Sequence, residues 1–357
     1  METGRIERVL QAMEEKRLDQ MIVSDPMSIW YLTGVEVAPY ERLFALLLRT
    51  DGKHVLFLNN LFHVKETGLT EVWYSDTDDV IGLIAEKIMP DAALGIDKEW
   101  PARFLIPLTE RCPGMKPVLA SDCVDDCRAV KDEAERELMR EASRINDAVM
   151  ERAAAYIREG MTEKQIASFI EEEYLKAGCS GPSFSTIVSF GENAADPHHE
   201  PDDTVLKAGE CVLIDMGCKK NRYCSDMTRT FFCKNATDRQ KEIHDLVRRA
   251  NEKAEEMIRP GVRFCDIDAA ARNLITEAGY GPNFNHRLGH FIGQNEHEKG
   301  DVSLANTAVV KAGMIFSIEP GIYLEGDFGV RIEDLVLVTE DGCERLNRAD
   351  KHWRIVG

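Results

Sequence analysis

The stretch KAGECVLIDMG at residues 207–217 returns 104 positions later as KAGMIFSIEPG at residues 311–321. A second block recurs at an offset of 101, in which Ile157, Arg158, Gly160, Ile166, Ala177 and Gly178 reappear as Ile258, Arg259, Gly261, Ile267, Ala278 and Gly279. Two blocks in the same order indicate a duplicated half-domain rather than a solenoid. Each half has the pattern of helices followed by a strand hairpin, so we expect a pseudo-twofold α+β domain with a site where its halves meet.

An acidic residue ends the apolar strand of each copy, Asp215 in VLID and Glu319 in FSIE. Each has an acidic residue downstream, Asp226 in YCSDMTRT and Glu333 in VRIED. A carboxylate at such a place is costly to bury unless a cation or a close hydrogen-bond network compensates its lost hydration. The pseudo-twofold would bring all four together, and four carboxylates in one pocket predict a metal site.

Hairpin geometry supports the pairing within each half. A two-residue turn centred between Lys220 and Asn221 would place Asp215 directly opposite Asp226. A three-residue turn centred on Gly326 would do the same for the two glutamates. For one carboxylate taken alone, a salt bridge with a nearby arginine is the better explanation; the candidate arginines are Arg229 and Arg331.

Histidines cluster in two segments. His286, His290 and His297 lie in HRLGHFIGQNEHEKG, and His198 lies in ADPHHEPDD. This spacing is not the helical HExxH pattern of single-zinc proteases. It suits a loop and a strand lining a pocket, where one imidazole could join the carboxylates. The remaining histidines are expected to be solvated loop residues; they are His54, His63, His199, His244 and His352.

A chain of 357 residues exceeds the usual size of a single core, so two domains are expected. The first ~125 residues alternate strand-like and helix-like patterns, typical of a small α/β domain. The predicted strands cover 20–24, 43–49 and 54–58, a predicted helix covers 78–89, and Asp51-Gly52 marks a hairpin turn. We place an N-terminal domain at 1–130 and a catalytic domain at 131–357. Within the latter, Thr162 with Gln165 predicts a capping box.

The charge balance is acidic, with 44 basic and 63 acidic residues and a net charge of −19. It disfavours nucleic acid and anionic membranes as partners. The N-terminal sequence has neither a signal-peptide pattern nor a membrane-spanning run, which predicts a cytoplasmic protein. The ten cysteines are scattered singly and are expected to be reduced and mostly buried. Cys123 and Cys127 alone cannot complete a four-ligand zinc site.

Eight motifs follow one another along almost the whole chain: SDPMSIWYLTG at 24–34, IREGMTEKQIA, PHHEPDD, IDMG, CSDMTRT, HRLGHFIG, IEPGIY and VRIED. Together they resemble the Xaa-Pro peptidase family, the prolidases and aminopeptidases P with the creatinase-like "pita-bread" fold. Each short motif is weak alone, whereas the complete ordered set is specific. The resemblance implies an α/β N-terminal domain followed by a pita-bread catalytic domain.

The resemblance also implies the site residues. The implied metal ligands are Asp215, Asp226, His290, Glu319 and Glu333. His198 and His297 would contact the substrate and the developing oxyanion, His286 would bind substrate, Arg331 would order the site, and Glu319 would also carry the proton to the leaving nitrogen. Oxygen ligands with one imidazole favour two Mn²⁺ or Co²⁺ ions, with Zn²⁺ as the alternative. Asn295 and Glu296 depart from the acidic-then-apolar pair that the family often has there, which changes the expected shape and charge of the substrate pocket.

The expected activity is hydrolysis of Xaa-Pro peptide bonds by a homodimer, most simply as an Xaa-Pro dipeptidase. Three alternatives remain. An Xaa-Pro aminopeptidase acting on longer peptides would use the same core residues. A metal-free creatinase-like amidinohydrolase would not need the five ligands, and a binding module that had lost catalysis would have lost some of them.

Overall fold

The computed structural model describes residues 2–357. The chain divides into two compact units, Met1–Arg128 and Ala129–Gly357, and each has its own hydrophobic cores. The domain boundary proposed from the sequence lies between residues 130 and 131.

The first unit is built on a mixed sheet with the strand order β4-β3-β2-β1-β5-β6. Its strands are β1 (Gln20–Val23), β2 (Ala45–Arg49), β3 (Val55–Asn59), β4 (Thr70–Tyr74), β5 (Ala93–Ile96) and β6 (Lys116–Leu119). Its helices are α1 (Thr3–Glu15), α2 (Pro26–Thr33), α3 (Val80–Ala85), α4 (Ala102–Arg111) and α5 (Asp122–Ala129). The three predicted strands correspond to β1, β2 and β3.

Strands β2 and β3 form the predicted antiparallel hairpin, with Leu47 opposite Val55 and Gly52 in the turn at a φ of +80°. The predicted helix at 78–89 is shorter, because α3 begins after Asp79, whose side chain accepts from the Gly82 N–H, and ends at Ala85. Residues 86 and 87 form a turn and residues 88 and 89 lead irregularly to Pro90, and a residue that precedes proline disfavours the helical conformation.

The second unit alternates helices with two sheets of order β19-β11-β8-β7 and β13-β12-β14-β17-β18. Its helices are α6 (Glu133–Tyr156), α7 (Glu163–Lys176), α8 (Asp238–Met257) and α9 (Phe264–Glu277), with 3₁₀ turns at Gly191–Ala195 and Gly281–Asn283. The strands of the first sheet are β7 (Ile187–Phe190), β8 (Cys211–Met216), β11 (Met227–Cys233) and β19 (Ile355–Val356). Those of the second are β12 (Gly289–Phe291), β13 (Glu298–Val302), β14 (Ile315–Ile318), β17 (Asp334–Val338) and β18 (Cys343–Arg345). Two short ladders pair β9 (Lys219–Lys220) with β10 (Tyr223–Cys224) and β15 (Gly321–Leu324) with β16 (Phe328–Arg331).

The internal repeat is confirmed by the backbone. Helices α7 and α9 begin and end at positions 101 residues apart, 163 with 264 and 176 with 277. Equivalent β-bridges precede them, Thr162 with Val205 in the first half and Arg263 with Val309 in the second. The predicted capping box of α7 is also present, because the Thr162 side chain accepts from the Gln165 N–H and the Gln165 side chain accepts from the Thr162 N–H.

The cysteines are free thiols, and most of them are buried, as expected. Cys123 and Cys127 both belong to an apolar core of the first unit. Over residues 2–357, no helix combines the length and the apolar composition needed to cross a bilayer.

Candidate active site

The five predicted metal ligands come together where strands of the two sheets end. Asp215 lies near the end of β8, Asp226 directly before β11, Glu319 directly after β14, Glu333 directly before β17, and His290 inside β12. They line a cavity of about 480 Å³ together with residues from five other segments. These residues are Phe184, Ser185, Ile187, Pro197, His198, His199, Glu200, Pro201, His286, Arg287, Glu296, His297 and Arg331.

The predicted register is right for the second half of the repeat. Ile318 pairs with Asp334 and Gly321 pairs with Arg331, so both ladders are centred on position 326 and Glu319 faces Glu333 in the gap between them. Leu324 pairs with Phe328, which leaves residues 325–327 as the turn.

The predicted register is wrong for the first half. Thr228, rather than Asp226, is opposite Asp215. The turn is centred between Asn221 and Arg222, both with positive φ of 48° and 73°, which is the geometry that tight hairpins favour. Moving the centre by one residue changes the partner by two positions, and side chains two apart in a strand share a face. Asp226 therefore remains on the side of Asp215, as a diagonal neighbour.

His290 lies in the middle of the cluster. Its Nε2 is 3.5 Å from Asp226 Oδ2, 3.5 Å from Glu319 Oε1 and 3.9 Å from Glu333 Oε1. Ligand atoms of Asp226, His290 and Glu333 all lie within 4.8 Å of one another, and all three residues are buried. A cation placed among these atoms could contact several of them at once.

Three carboxylate oxygens in the cluster are buried without a hydrogen-bond donor: Asp215 Oδ1, Asp226 Oδ1 and Glu333 Oε1. An acceptor buried without a partner costs about 1–3 kcal/mol, and more when it is charged. The opposite oxygens of two of these residues are satisfied, Asp215 Oδ2 by Arg331 at 2.7 Å and Glu333 Oε2 by the Thr228 hydroxyl at 2.8 Å. The side chains are therefore held in place while one oxygen of each remains free to bind a cation, and the donor set fits divalent metal ions.

The proposed salt-bridge explanation holds for one carboxylate only. Arg331 is buried and pairs with Asp215, whereas Arg229 pairs with Asp334, which is not one of the four carboxylates of the cluster. One guanidinium cannot compensate four carboxylates. Burial alone would lower the pKa of Arg331, but Tyr323 and Asp215 outweigh it and raise that pKa well above the usual range.

Three of the four carboxylic acids resist ionisation, those of Asp226, Glu319 and Glu333. Burial, followed by the Asp215 charge, raises the pKa of Asp226 well above its usual range. Burial and the Asp226 charge do the same for the pKa of Glu333. Burial raises the pKa of Glu319 to about 7, against the opposing effect of His290. Without added positive charge these shifts favour the protonated forms of the three residues, and bound cations would favour their ionisation.

Comparison with known proteins identifies the family. The model of metallopeptidase family M24 matches residues 137–340, which contain all five residues of the cluster. The chain belongs to metallopeptidase family M24. A model of the creatinase/prolidase N-terminal domain matches residues 5–130, so the two-domain pita-bread architecture implied by the sequence resemblance is confirmed.

The relatives of this M24 chain align over nearly their full length. An uncharacterized peptidase of Staphylococcus aureus is 38% identical over 355 residues, covering 97% of this chain and 99% of the relative. The crystal structure of dipeptidase PepE from Mycobacterium ulcerans superposes with a TM-score of 0.94 at 34% identity, covering 99% of this chain and 97% of that one. The prolidase from Pyrococcus horikoshii superposes with a TM-score of 0.89 at 30% identity, covering 97% and 99% of the two chains.

The histidines predicted to contact substrate surround the M24 cluster. The His297 ring lies edge-on to the His290 ring, with centroids 4.2 Å apart. The His286 Nε2 is 2.9 Å from the Tyr323 hydroxyl, whereas His198 lies on an exposed loop over the cavity. Burial lowers the pKa of His286 and of His297 to about 4, with Arg331 and His290 respectively adding to the effect. Both rings are therefore neutral at neutral pH.

Two histidines expected to be solvated loop residues are not. His244 is 1% exposed on α8, and its Nε2 is 3.1 Å from the Thr230 carbonyl oxygen. His199 is half-buried with its Nε2 2.7 Å from Glu163 Oε2. His63 and His352 are exposed outside helices and strands, as expected, and His54 is half-exposed in a loop. The α8 sequence has a 3.6-residue pattern, which would have placed His244 on the apolar face.

Three residues of the M24 site were missed from the sequence. Thr228 donates to Glu333 and lies 3.0 Å from Arg331 Nε; Ser317 Oγ accepts from the His290 N–H at 3.0 Å; and Tyr323 lies 2.9 Å from an Arg331 amino group. A correct turn assignment would have identified Thr228, because the residue opposite Asp215 is then position 228. Ser317 and Tyr323 carry no spacing signal of their own.

Proposed function

We propose that this M24 peptidase hydrolyses Xaa-Pro dipeptides with two divalent ions, Mn²⁺ or Co²⁺, held by Asp215, Asp226, His290, Glu319 and Glu333. The observation that carries the proposal is the set of buried carboxylate oxygens without hydrogen-bond donors beside His290. Similarity to a dipeptidase and a prolidase over almost the whole chain supports the substrate class.

Divalent cations bound by this set would supply Lewis acidity at the scissile carbonyl. The protein residues would do the rest. Arg331 holds Asp215 in one orientation through the 2.7 Å contact, and Thr228 does so for Glu333. Orientation by such outer partners typically changes metal affinity or activity 10- to 100-fold.

The substrate would lie under His198, His286 and His297. The neutral His297 ring, beside His290, is suited to donate a hydrogen bond to the developing oxyanion without adding charge to the ground state. Glu319, whose Oε1 accepts from the Ser317 hydroxyl at 3.2 Å, would pass a proton to the leaving nitrogen. Proline offers no amide N–H in the scissile bond, so recognition must rely on ring shape and on the groups flanking the bond.

We also propose that the protein is a cytoplasmic homodimer. The acidic net charge of −19 and the absence of a spanning helix in residues 2–357 are compatible with this location. Light scattering at micromolar concentration should give twice the mass of one chain, and a monomer mass would contradict the dimer.

The function is tested by removing the metal and then restoring single ions. Protein dialysed against a chelator should be inactive toward Ala-Pro and regain activity with Mn²⁺ or Co²⁺, and elemental analysis should find two ions per chain. Ala-Pro should be cleaved faster than Ala-Pro-Ala. Preference for the tripeptide would identify an aminopeptidase instead, and full activity after chelation would exclude a metal-dependent reaction.

A further inference from the structure

A buried carboxylate with no part in the metal cluster lies at the first position of α7. Glu163 is 0% exposed, although it begins a helix on which the other acidic residues, Glu171, Glu172 and Glu173, are exposed or half-exposed. A charged group at such a place persists only where hydrogen bonds replace its hydration. Its partners therefore show what it holds.

The two oxygens of Glu163 hold the two ends of one loop. Oε1 accepts from the Phe190 N–H at 2.8 Å and from the Asn193 side-chain amide at 3.0 Å. Oε2 accepts from the Asp202 N–H at 3.0 Å and lies 2.7 Å from His199 Nε2. With the carboxylate as acceptor, Nε2 of that imidazole carries the proton. The Glu163 side chain thus holds the loop of residues 190–202 at its start, where it leaves β7, and at its end, where it packs beside the first residue of α7.

The loop closed in this way carries His198 over the active-site cavity. Its middle is connected to the metal cluster, because the Pro197 carbonyl accepts from Arg331 at 3.3 Å. The His198 N–H donates to the Asp196 side chain, which shapes the turn locally. His198 itself is exposed at the cavity, so its position depends on how the loop is held at its ends.

The second half of the repeat shows that folding does not require a carboxylate at this position. Phe264 begins α9 at the equivalent place, is 2% exposed, and packs its ring 5.5 Å from Phe291 and 5.4 Å from Phe316. The N-terminus of α7 is already capped by Thr162. Helix α7 therefore does not need the Glu163 carboxylate in order to form. The contacts of this carboxylate with the loop explain why it is buried there.

We infer that Glu163 is a positioning residue for the peptidase reaction, which sets the placement of His198 by binding both ends of the 190–202 loop. The inference rests on the proposed role of His198 as a substrate contact. Replacing Glu163 by Gln keeps the size of the side chain but turns one acceptor oxygen into a donor. One end of the loop then faces an N–H group in place of an acceptor, and the loop should loosen.

The first test does not depend on activity. Amide hydrogen exchange followed by mass spectrometry should show, in Glu163→Gln, faster exchange in peptides covering 190–202 by about ten-fold or more, as expected for one lost charge-assisted hydrogen bond. Glu171→Gln, an exposed change on the same helix, should leave this segment unchanged. Unaltered exchange of the segment in Glu163→Gln would overturn the inference.

The second test is a double-mutant cycle on the Mn²⁺-loaded enzyme with Ala-Pro as substrate. Glu163→Gln should reduce kcat/KM by about 10- to 100-fold, in the same parameter, kcat or KM, as His198→Ala, while metal content stays near that of the parent. In the His198→Ala background the same change should cost less than about two-fold, since residues that act through one another are not additive. Equal losses in both backgrounds, or loss of metal, would overturn the inference.

The cycle separates failure of this inference from failure of the proposed function. Parent-like activity of His198→Ala would contradict the substrate role of His198, whatever Glu163 does. If Glu163→Gln does not fold, His199→Ala takes its place in the cycle, because it removes the contact at Oε2 from the other side. Additive losses for His199→Ala and His198→Ala would then overturn the positioning role.

Discussion

In the first half of the repeat β7 brings Ser189 beside β8, whereas in the second half β12 brings His290 to the equivalent place beside β14. The register establishes the equivalence. Phe190 pairs with Val212 and Phe291 pairs with Phe316, and the two partners are separated by the same 104 residues as the repeated KAG segments. Ser189 precedes Phe190 and His290 precedes Phe291, so the two residues occupy equivalent buried positions in the two halves. The first half has a hydroxyl there and the second half has an imidazole.

The reverse difference occurs in the helices. The first half has Glu163 where the second half has Phe264, and the loop with His198 follows only the first. The same backbone accommodates Glu163 in one half and Phe264 in the other. The backbone therefore does not determine which residue occupies this position. The comparison teaches that each half contributes two carboxylates to the cluster, and that single-residue differences at matched positions place the imidazole of His290 in one half and the carboxylate of Glu163 in the other.

The largest expected effect comes from the chemistry that both halves share. Asp226→Asn and Glu333→Gln, which lie directly before β11 and β17, should each lower metal content and abolish hydrolysis of Ala-Pro. Each change replaces a carboxylate by an amide of similar size, and each parent residue has a buried oxygen without a hydrogen-bond donor. Elemental analysis and a progress curve on the same preparation measure both effects.

Asp238→Asn is the matched control, because the side chain of Asp238 is 94% exposed and the charge change is the same. It should retain metal and activity. Full metal occupancy in Asp226→Asn would remove that residue from the ligand set and would leave the first half with one carboxylate ligand.

The next prediction tests the difference between the halves. His290→Ala should lose metal and activity together, since its Nε2 lies within 3.5 Å of two carboxylate oxygens. Ser189→Ala, at the matched place, should keep both within about two-fold, because the Ser189 hydroxyl is buried without a partner and its removal leaves no group unsatisfied. A metal-free Ser189→Ala protein would mean that the first half contributes more than carboxylates.

A smaller loss is expected from the residues over the cavity. His297→Ala and His198→Ala should lower turnover by ~10² to 10³, the usual cost of one oxyanion contact, with metal content near that of the parent. Metal analysis beside steady-state kinetics separates this result from that of His290→Ala. If His297→Ala loses metal and His290→Ala keeps it, the roles of the two histidines are exchanged.

Much of the site followed from the sequence because its residues stand at strand ends within a repeated pattern. The register about Gly326 was predictable since glycine at a positive φ marks that turn. The first hairpin was not, because Asn221 and Arg222 take positive φ without a glycine to signal it. Glu163 belongs to the IREGMTEKQIA motif, but its role depends on partners up to 39 residues away, and no local pattern contains them.

The smallest effect at neutral pH is expected for the stability of the protein, from a difference between the equivalent helices α6 and α8. His244 on α8 is buried where α6, 101 positions earlier, has the small Ser143. Burial lowers the pKa of His244 from 6.5 to about 4, with Asp245 opposing the shift and Arg248 and Arg229 adding to it.

Because the folded state excludes a proton that the unfolded chain binds below pH 6.5, the free energy of unfolding should fall as the pH drops from about 6.5 to about 4, and this histidine should contribute no pH dependence above that range. One proton over this interval corresponds to a loss on the order of 3 kcal/mol. His244→Gln, which can still donate to the Thr230 carbonyl, should show a correspondingly weaker loss of stability on acidification. Urea unfolding of parent and variant at pH 7 and pH 4.5, with chelator present in both, isolates the difference, because the carboxylate cluster is common to the two proteins and cancels. Parallel losses in the two proteins would show that the buried imidazole takes up its proton as readily in the fold as in the unfolded chain, and that the second half tolerates a charge where the first half has Ser143.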